Sequence, residues 1–460
     1  MDLRGKKVLV VGLGRSGLGV ARLCLDRGAR VRVTDRRLAD QLQAQVNALA
    51  GRADLELGGH RPDSFVEADL IVLSPGVPQI PPLQLALQQG VPVVGELELA
   101  CRFVQAPLVA ITGTNGKSTT TSLLGAMVAA SGRPTFVGGN LGAPLVEAVG
   151  TDAAGPGGAL VVEVSSFQLE TVERFHAQVA LLLNLSEDHL DRYPDYRAYV
   201  AAKARIFERQ TELDFAVVNG EPGQQECREL ARDGAAPVVT FQVGGPPPSG
   251  AGAWCDSQGL LVRLPGKEQE HLPRDLLRLA GRHNLQNALA ALLGARLLGA
   301  GIDACRRGLE QFRGLPHRME LVGEREGVRF YNDSKATNVG SVVGSLTGFD
   351  RTVVLIAGGK DKGGDYGPLS PLLGQTVREV VLIGAAADRM AAAIGDQVPV
   401  HRALDLPAAV RAAAERARRG EAVVLSPACS SFDMFDNFEH RGEVFAGAVQ
   451  ELAGICGGEP

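Results

Sequence analysis

Two glycine-rich turns in one chain have the residues to hold phosphate. The second, Gly113-Thr114-Asn115-Gly116-Lys117-Ser118-Thr119, follows the apolar run LVAIT and precedes a helix-compatible stretch. Its G-x-x-G-K-S spacing is shorter than the usual phosphate loop, G-x-x-x-x-G-K-S. Its parts still suit nucleoside triphosphate chemistry. Backbone N–H groups and a helix N-terminus hold phosphate oxygens, Lys117 offsets charge on the β and γ phosphates, and the Ser118 hydroxyl can join a Mg²⁺ shell. The first turn, Gly12-Leu13-Gly14-Arg15-Ser16-Gly17, ends the run VLVV and has the layout of a dinucleotide-binding turn. Asp35 closes VRVTD, 21 residues after Gly14, where such folds set an acid against a ribose. Arg36, Arg37 and the turn Ser74-Pro75-Gly76 would equally surround a uridine diphosphate. This turn by itself leaves both nucleotides open.

Further chemistry clusters after the second turn. Glu163 sits inside the apolar run VVEVSSF, where a carboxylate is costly unless it meets a cation; it reads as a Mg²⁺ ligand or as half of a buried ion pair. His189 follows another strand-like run and is flanked by Glu187, Asp188 and Asp191, a setting for a metal ligand or a structural histidine. Lys203, in YVAAKARIF, has the pattern of a surface lysine lying along a helix. Arg318, in GLPHRME, is a cation suited to a transferred phosphate. Asp333 and Lys335 are two apart after a strand-like run, so on extended chain they share a side, although Asp-Ser-Lys also reads as solvated loop. In SPACSSFDMFDNFEHRG, Phe435 and Phe438 are apolar for a loop and read as a substrate rim or a small satellite core.

These residues need a scaffold that sets strand ends beside helix starts. Short runs rich in Val, Ile and Leu alternate with helical stretches almost throughout: VLVV, VRVTD, DLIVLS, VPVV, then LVAIT, ALVVEV, VALLLN, DFAVVN, then TVVLIAGG, EVVLIG and AVVLSPA. Continuous apolar runs suit strands buried on both faces, hence parallel sheets flanked by helices. The fold class is α/β, in three successive domains: residues 1–97, Rossmann-like; 98–314, P-loop-like and mononucleotide-binding; and 315–460, Rossmann-like. The stretches 153–158 and 244–252 read as surface loops, and GRHNLQNALAALLGARLLGAG as a helix. Net charge is −5, which gives no electrostatic reason to expect nucleic acid. Seven cysteines without a C-x-x-C pattern point to a reduced, cytoplasmic chain with no zinc frame. No apolar run is long enough for membrane insertion.

Taken together, TGTNGKST, VEVSSFQLE, EDHLDRY, GLPHR, YNDSKATN and FEHRG resemble the Mur ligases over nearly the whole chain. TGTNGKST marks a wider family that includes folylpolyglutamate synthase, so another Mur-type or folylpolyglutamate-type amino-acid ligase is the alternative; the remaining motifs look like the D-glutamate-adding branch. The resemblance implies an ADP-forming, ATP- and Mg²⁺-dependent ligase of cytoplasmic peptidoglycan precursor synthesis. It would join D-glutamate to UDP-N-acetylmuramoyl-L-alanine and act as a monomer. It implies that Gly14, Arg15, Ser16, Asp35, Arg36, Ser74, Pro75 and Gly76 hold the uridine nucleotide, with Asn140, Ser165 and Gln168 at the muramoyl-alanine end. It assigns Gly113 to Thr119 to the ATP phosphates, Asn287 to adenine, Arg318 to the γ-phosphate and Asp333 to ribose. Ser118, Glu163, His189 and a carbamylated Lys203 would hold Mg²⁺. Lys335, Thr337, Lys362, Ser431 and Phe438 would surround D-glutamate, with Lys360 a neighbouring candidate for Lys362. Lys117, Lys203, His189 and Arg318 would be the catalytic set.

Overall fold

The computed structural model describes residues 1–452 except Asp191, Gln258, Arg278 and Ala280. Asp191, one of the acids flanking His189 in the sequence, thus lies outside the described residues. The chain forms three sheets. The first has the spatial order Asp54–Leu57, Arg30–Asp35, Lys7–Val11, Leu70–Leu73, Val93–Gly95, all parallel. The second runs Gln269–Pro273, Gly259–Arg263, Gly252–Cys255, Val238–Val243, Phe215–Asn219, Val179–Leu182, Leu108–Thr112, Ala159–Glu163, Thr135–Gly139. It is parallel except for the pairings at the Gly259–Arg263 strand, which are antiparallel. The third runs Glu320–Arg325, Val328–Asn332, Ala422–Leu425, Val353–Gly358, Val377–Ile383, Val400–Arg402, with only the first pair antiparallel.

The α/β architecture follows from the apolar runs. Leu70–Leu73, Leu108–Thr112 and Ala159–Glu163 are buried at every position, as strands covered on both faces must be. The edge strands Asp54–Leu57, where acids alternate with leucines, and Thr135–Gly139, which ends in two glycines, lack that run. The stretch 153–158 is loop apart from its start in a short 3-10 turn, Asp152–Ala154, and GRHNLQNALAALLGARL forms helix Arg282–Leu297. Among the described residues no helix is long and apolar enough to cross a membrane.

By packing, the chain divides into two compact units. One comprises residues 1–185, 200–277 and 286–312 and holds the first two sheets; the other comprises 186–199, 278–285 and 313–460 and holds the third.

Within the first unit, helix Glu96–Cys101 ties the two sheets together through buried acids. Glu98 Oε2 accepts from the N–H groups of Glu173, Arg174 and Phe175 at 2.9, 2.9 and 3.0 Å, and Oε1 accepts from Arg102 Nε at 2.8 Å. Glu96 Oε1 accepts from Val146 N at 2.7 Å, but its buried Oε2 has no hydrogen-bond partner. Burial pushes Glu96 up to about 7. The folded state therefore holds this proton more tightly than the unfolded chain, and stability falls as pH rises from 4.5 through 7. The loss above that window is on the order of 3 kcal/mol. Glu96→Gln keeps the acceptor for Val146 N and removes the buried charge. We expect urea denaturation to show the variant more stable than the parent at pH 8, with the advantage shrinking toward pH 5; equal advantage at both pH values would contradict this origin.

Candidate active site

The first turn sits where the strand order of its sheet reverses, between the ends of Lys7–Val11 and Leu70–Leu73, the usual ligand crevice of an open parallel sheet. Gly12 has φ 92°, and Ser74 Oγ donates to its carbonyl at 3.0 Å. A Cβ on Gly17 would lie 1.9 Å from Gly12 O, so only glycine lets helix Arg15–Asp26 start here, whereas one on Gly14 would meet nothing within 4 Å. That leaves the helix N-terminus approachable by an anion. Asp35 Oδ2 accepts from Leu13 N at 2.7 Å and from Arg37 Nη2 at 2.8 Å, and Oδ1 accepts from Arg37 N and Nε at 2.9 and 3.0 Å. Burial raises the Asp35 pKa, but the Arg37 guanidinium and the Leu13 N–H outweigh it and hold the carboxyl at about 2. Asp35 thus shapes the turn as a fixed anion. Arg15 pairs twice with Glu147, Nε and Nη2 each 3.2 Å from a carboxylate oxygen, while Arg36, Pro75 and Gly76 are exposed.

The second turn joins the buried strand Leu108–Thr112 to helix Lys117–Ala129. Gly113 and Gly116 have φ 148° and 86°. A Cβ on Gly116 would lie 2.3 Å from Asn287 Oδ1, which brings helix Arg282–Leu297 against the turn; Asn287 Oδ1 also lies 3.4 Å from Thr120 Oγ1. Lys117 Nζ donates to the carbonyls of Gly113 and Thr114 at 2.9 Å each. Asn184, at the end of the neighbouring strand, braces the loop reciprocally: its Oδ1 accepts from Asn115 N at 2.8 Å and its Nδ2 donates to Asn115 O at 3.0 Å. The one sequence signal for Asn184 is an amide directly after the run VALLL.

Glu163 ends the strand on the other side of Leu108–Thr112, paired in register with Ile111. It is 2% exposed. Asn140 Nδ2 donates to Oε1 at 2.7 Å, but Oε2 is buried without a hydrogen-bond partner. A buried carboxylate oxygen left open costs several kcal/mol unless a cation meets it. Ser118, buried in the first turn of the helix that follows the paired strand, adds an oxygen donor of the kind a hard divalent cation takes. The alternative, a buried ion pair, has no counterpart among the ion pairs of the described residues. Ser165 caps helix Ser166–Leu169, its Oγ accepting from Gln168 N at 3.3 Å while Gln168 Oε1 accepts from Ser165 N at 3.0 Å.

Lys203 departs from the surface-lysine pattern. It is 2% exposed, with Nζ donating to Gly113 O at 2.9 Å and 3.5 Å from Thr112 Oγ1. The small residues around it in AAKAR let the helix pack closely enough to bury it. Among the described residues no three His, Cys, Asp or Glu side chains gather into a metal-holding group; the expected set draws instead on a serine, a glutamate, a histidine and a modified lysine.

In the second unit, His189 has φ 57°, a left-handed conformation that costs a non-glycine residue roughly 1–2 kcal/mol. It lines a cavity of about 320 Å³ with Asp188, Asn338, Asp361, Lys362 and Tyr366. Lys362 Nζ lies 3.6 Å from Asp188 Oδ1, and Asn338 Nδ2 donates to Asp188 Oδ2 at 3.3 Å. The Lys360 side chain is exposed, and its backbone pairs with Ser430.

Arg318 sits between two left-handed residues, His317 at φ 60° and Met319 at φ 46°. Its Nε is buried without a hydrogen-bond partner, an open donor suited to an anion. It borders a second cavity, of about 710 Å³, with His283, Asn284, Tyr331, Ser345 and Phe349. Burial, then the Arg318 charge, holds His283 down to about 4, so it is neutral at pH 7. Asp333 is not in solvated loop: it is 1% exposed, with Oδ2 accepting from Ser426 Oγ at 2.8 Å. Burial pushes it up to about 6 against the pull of Arg318.

Phe438 is likewise no loop residue. It opens helix Phe438–Leu452, with Lys335 Nζ 4.8 Å from its ring centre, while Phe435 packs against the core. Thr337 is half-buried, and its N–H donates to Lys335 O at 2.9 Å; Ser431 is 2% exposed. Arg441, within FEHRG, carries no sequence signal of its own role. It is wholly buried, donating through Nε and Nη2 to Ser334 Oγ and O at 2.9 and 2.7 Å and through Nη1 to Cys429 O at 3.1 Å.

Comparison with known proteins agrees with this arrangement. Residues 6–95 match the Mur ligase MurD-like N-terminal domain, 111–295 the Mur ligase middle domain, and 317–429 the Mur ligase glutamate ligase domain. The UDP-N-acetylmuramoylalanine--D-glutamate ligase of Geotalea daltonii is 47% identical over 459 residues, covering 99% of both chains. The protein of the same name from Anaeromyxobacter dehalogenans is 48% identical over 471 residues, covering 98% of this chain and 99% of its own. Among solved structures, MurF from Acinetobacter baumannii superposes with a TM-score of 0.61 at 18% identity, covering 98% of this chain and 91% of its own. A pseudomurein peptide ligase type C from Methanothermus fervidus gives 0.60 at 19% identity, covering 97% and 100%. At these identities the structures speak for the fold; the three matched domains and the full-length relatives show that this chain belongs to the Mur ligase family and is an ATP-dependent ligase.

Proposed function

We propose that this chain joins D-glutamate to the alanine carboxyl of UDP-N-acetylmuramoyl-L-alanine, with ATP, in cytoplasmic peptidoglycan precursor synthesis. The observation that carries the reading is the buried, half-satisfied carboxylate of Glu163 beside a lysine-bearing phosphate loop, and full-length relatives named for this reaction support it. The matched stretches support domains at 1–97, 98–314 and 315–460.

An alanine carboxylate is a poor acyl donor at neutral pH. Here its oxygen attacks the γ-phosphorus of ATP, the bond to ADP breaks, and an acyl phosphate forms. The D-glutamate amine then attacks the acyl carbon, loses a proton, and phosphate leaves from the tetrahedral intermediate. Catalysis is mainly positioning and charge neutralisation. Lys117 turns from its loop carbonyls to the β and γ phosphates within the Gly113–Thr119 cradle, and Arg318 meets the phosphate in transfer. Asn287 takes adenine and Asp333 ribose. Ser118, Glu163 and a carbamylated Lys203 would hold Mg²⁺, with His189 assigned the same role; when bound, the ion would neutralise phosphate charge.

Gly14, Arg15, Ser16, Asp35, Arg36 and Ser74 to Gly76 hold the uridine diphosphate, and Asn140, Ser165 and Gln168 the muramoyl-alanine end. Lys335, Thr337, Lys362, Ser431 and Phe438 receive D-glutamate. The pairing of Lys362 with Asp188 at the cavity wall favours it over the exposed Lys360. Substrate labelled with ¹⁸O in the alanine carboxylate tests the chemistry: one labelled oxygen should appear in the released phosphate, and unlabelled phosphate would exclude the acyl phosphate.

A further inference from the structure

The turn carrying Lys362 is Asp361-Lys362-Gly363-Gly364, with Gly363 at φ 78° and space around both glycines. Two adjacent glycines without packing would normally be a loose point in the chain. Here the turn is fixed at both ends. On the N-terminal side, Lys360 and Ser430 exchange backbone hydrogen bonds at 2.9 and 3.1 Å, and a Cβ on Gly359 would lie 2.4 Å from Ser430 O. On the other side, one side chain from helix Ala387–Ile394 grips it. Arg389 Nη1 donates to Asp361 Oδ2, and its Nη2 donates to the carbonyls of Gly364 and Gly363 at 2.8 and 3.3 Å. The guanidinium also lies 5.4 Å from the centre of the Tyr366 ring.

The other Asp361 oxygen accepts from Gly363 N at 2.8 Å and from Tyr366 OH at 3.1 Å. Tyr366 OH lies 3.3 Å from Cys429 Sγ, two residues before Ser431. The network Arg389–Asp361–Tyr366–Cys429 therefore couples the segment carrying Lys362 to the segment carrying Ser431. Burial raises the Asp361 pKa, but the Arg389 guanidinium outweighs it, so the carboxyl lies below its ordinary value and stays charged. Arg389 lies in none of the motifs that carry the family resemblance.

We propose that Arg389 is a positioning residue for the amino-acid substrate: it holds the glycine turn so that Lys362 stands at a fixed place relative to Ser431. This rests on the assignment of Lys362 and Ser431 to D-glutamate. A lysine on a preformed turn meets a carboxylate without ordering the chain first, whereas on a loose turn the substrate's binding energy is spent on that ordering. The ATP and uridine sites draw on other segments.

The test is steady-state kinetics on the full-length chain. Arg389→Gln should raise the KM for D-glutamate about tenfold while leaving kcat and the KM values for ATP and the uridine substrate within about twofold, the size expected for roughly one side chain's ordering cost. Arg389→Lys, which keeps the charge, should recover part of the loss. In the double variant with Lys362→Ala, the D-glutamate KM should match that of Lys362→Ala alone, because Arg389 acts through that lysine. An unchanged D-glutamate KM in Arg389→Gln, a rise in all three KM values together, or additive effects in the double variant would each overturn the inference. If Lys362→Ala itself leaves the D-glutamate KM unchanged, the lysine assignment falls, and this inference falls with it.

Discussion

Lys117→Ala should lose ligation by on the order of 10³-fold while the uridine nucleotide still binds. Lys117 Nζ already lies over its loop, 2.9 Å from the Gly113 and Thr114 carbonyls. Two unit charges about 4 Å apart interact by about 4 kcal/mol at an effective dielectric of 20. That energy grows as charge gathers on the transferring phosphate, so its loss falls on the rate. The first glycine turn, to which the uridine nucleotide is assigned by proposal, follows a different strand in a different sheet, and its conformation is set by Asp35, Arg37 and Ser74, none of which touches Lys117. Calorimetry with the uridine substrate should give a normal heat of binding in the variant. Loss of that binding along with activity would show that the two turns do not serve separate ligands.

Lys203→Ala should lose most activity and regain part of it with acetate or another short carboxylic acid. The lysine amine is buried against the second turn, its Nζ 2.9 Å from Gly113 O, on the strand end adjacent to Glu163. An ammonium near a divalent cation would be repelled by several kcal/mol, by the same Coulomb argument. Repulsion lowers a lysine pKa, and the neutral amine can then attack CO₂, losing a proton to give an N-carboxylate anion. The local charge changes by two units and becomes a metal partner. A small carboxylic acid can occupy the space that the alanine variant leaves. The parent protein in ¹³C-bicarbonate should show a carbamate carbon resonance that is missing in the variant. Near-normal activity in the variant, or the absence of that resonance in the parent, would contradict the modification.

The strands that carry the site were legible because each is an apolar run that ends in a turn. The phosphate loop was legible because its glycines and Gly-Lys-Ser lie consecutively. What the sequence hid depends on segments that meet only in the fold. Asn184 braces Asn115 from 69 positions away, and Arg441 binds Ser334 from 107 positions away, both largely through backbone atoms that carry no residue-specific signal. Lys203 has the flanking pattern of an exposed helix, and its burial against the strand end at Gly113 arises only in the fold. Asp333 reads as solvated because Asp-Ser-Lys is polar, yet it follows a central strand and is covered by Ser426 from the neighbouring one. The edge strands Asp54–Leu57 and Thr135–Gly139 show no continuous apolar run: acids alternate with leucines in the first, and two glycines end the second.

The proposed reaction takes one amino acid. Phosphate release should be measured with purified protein, ATP, Mg²⁺ and UDP-N-acetylmuramoyl-L-alanine, adding each candidate amino acid in turn: D-glutamate, L-glutamate, L-lysine and meso-diaminopimelate. Release should depend on both the uridine substrate and D-glutamate, with the other amino acids near background. Release supported by one of the others in place of D-glutamate, or independent of the uridine substrate, would contradict it.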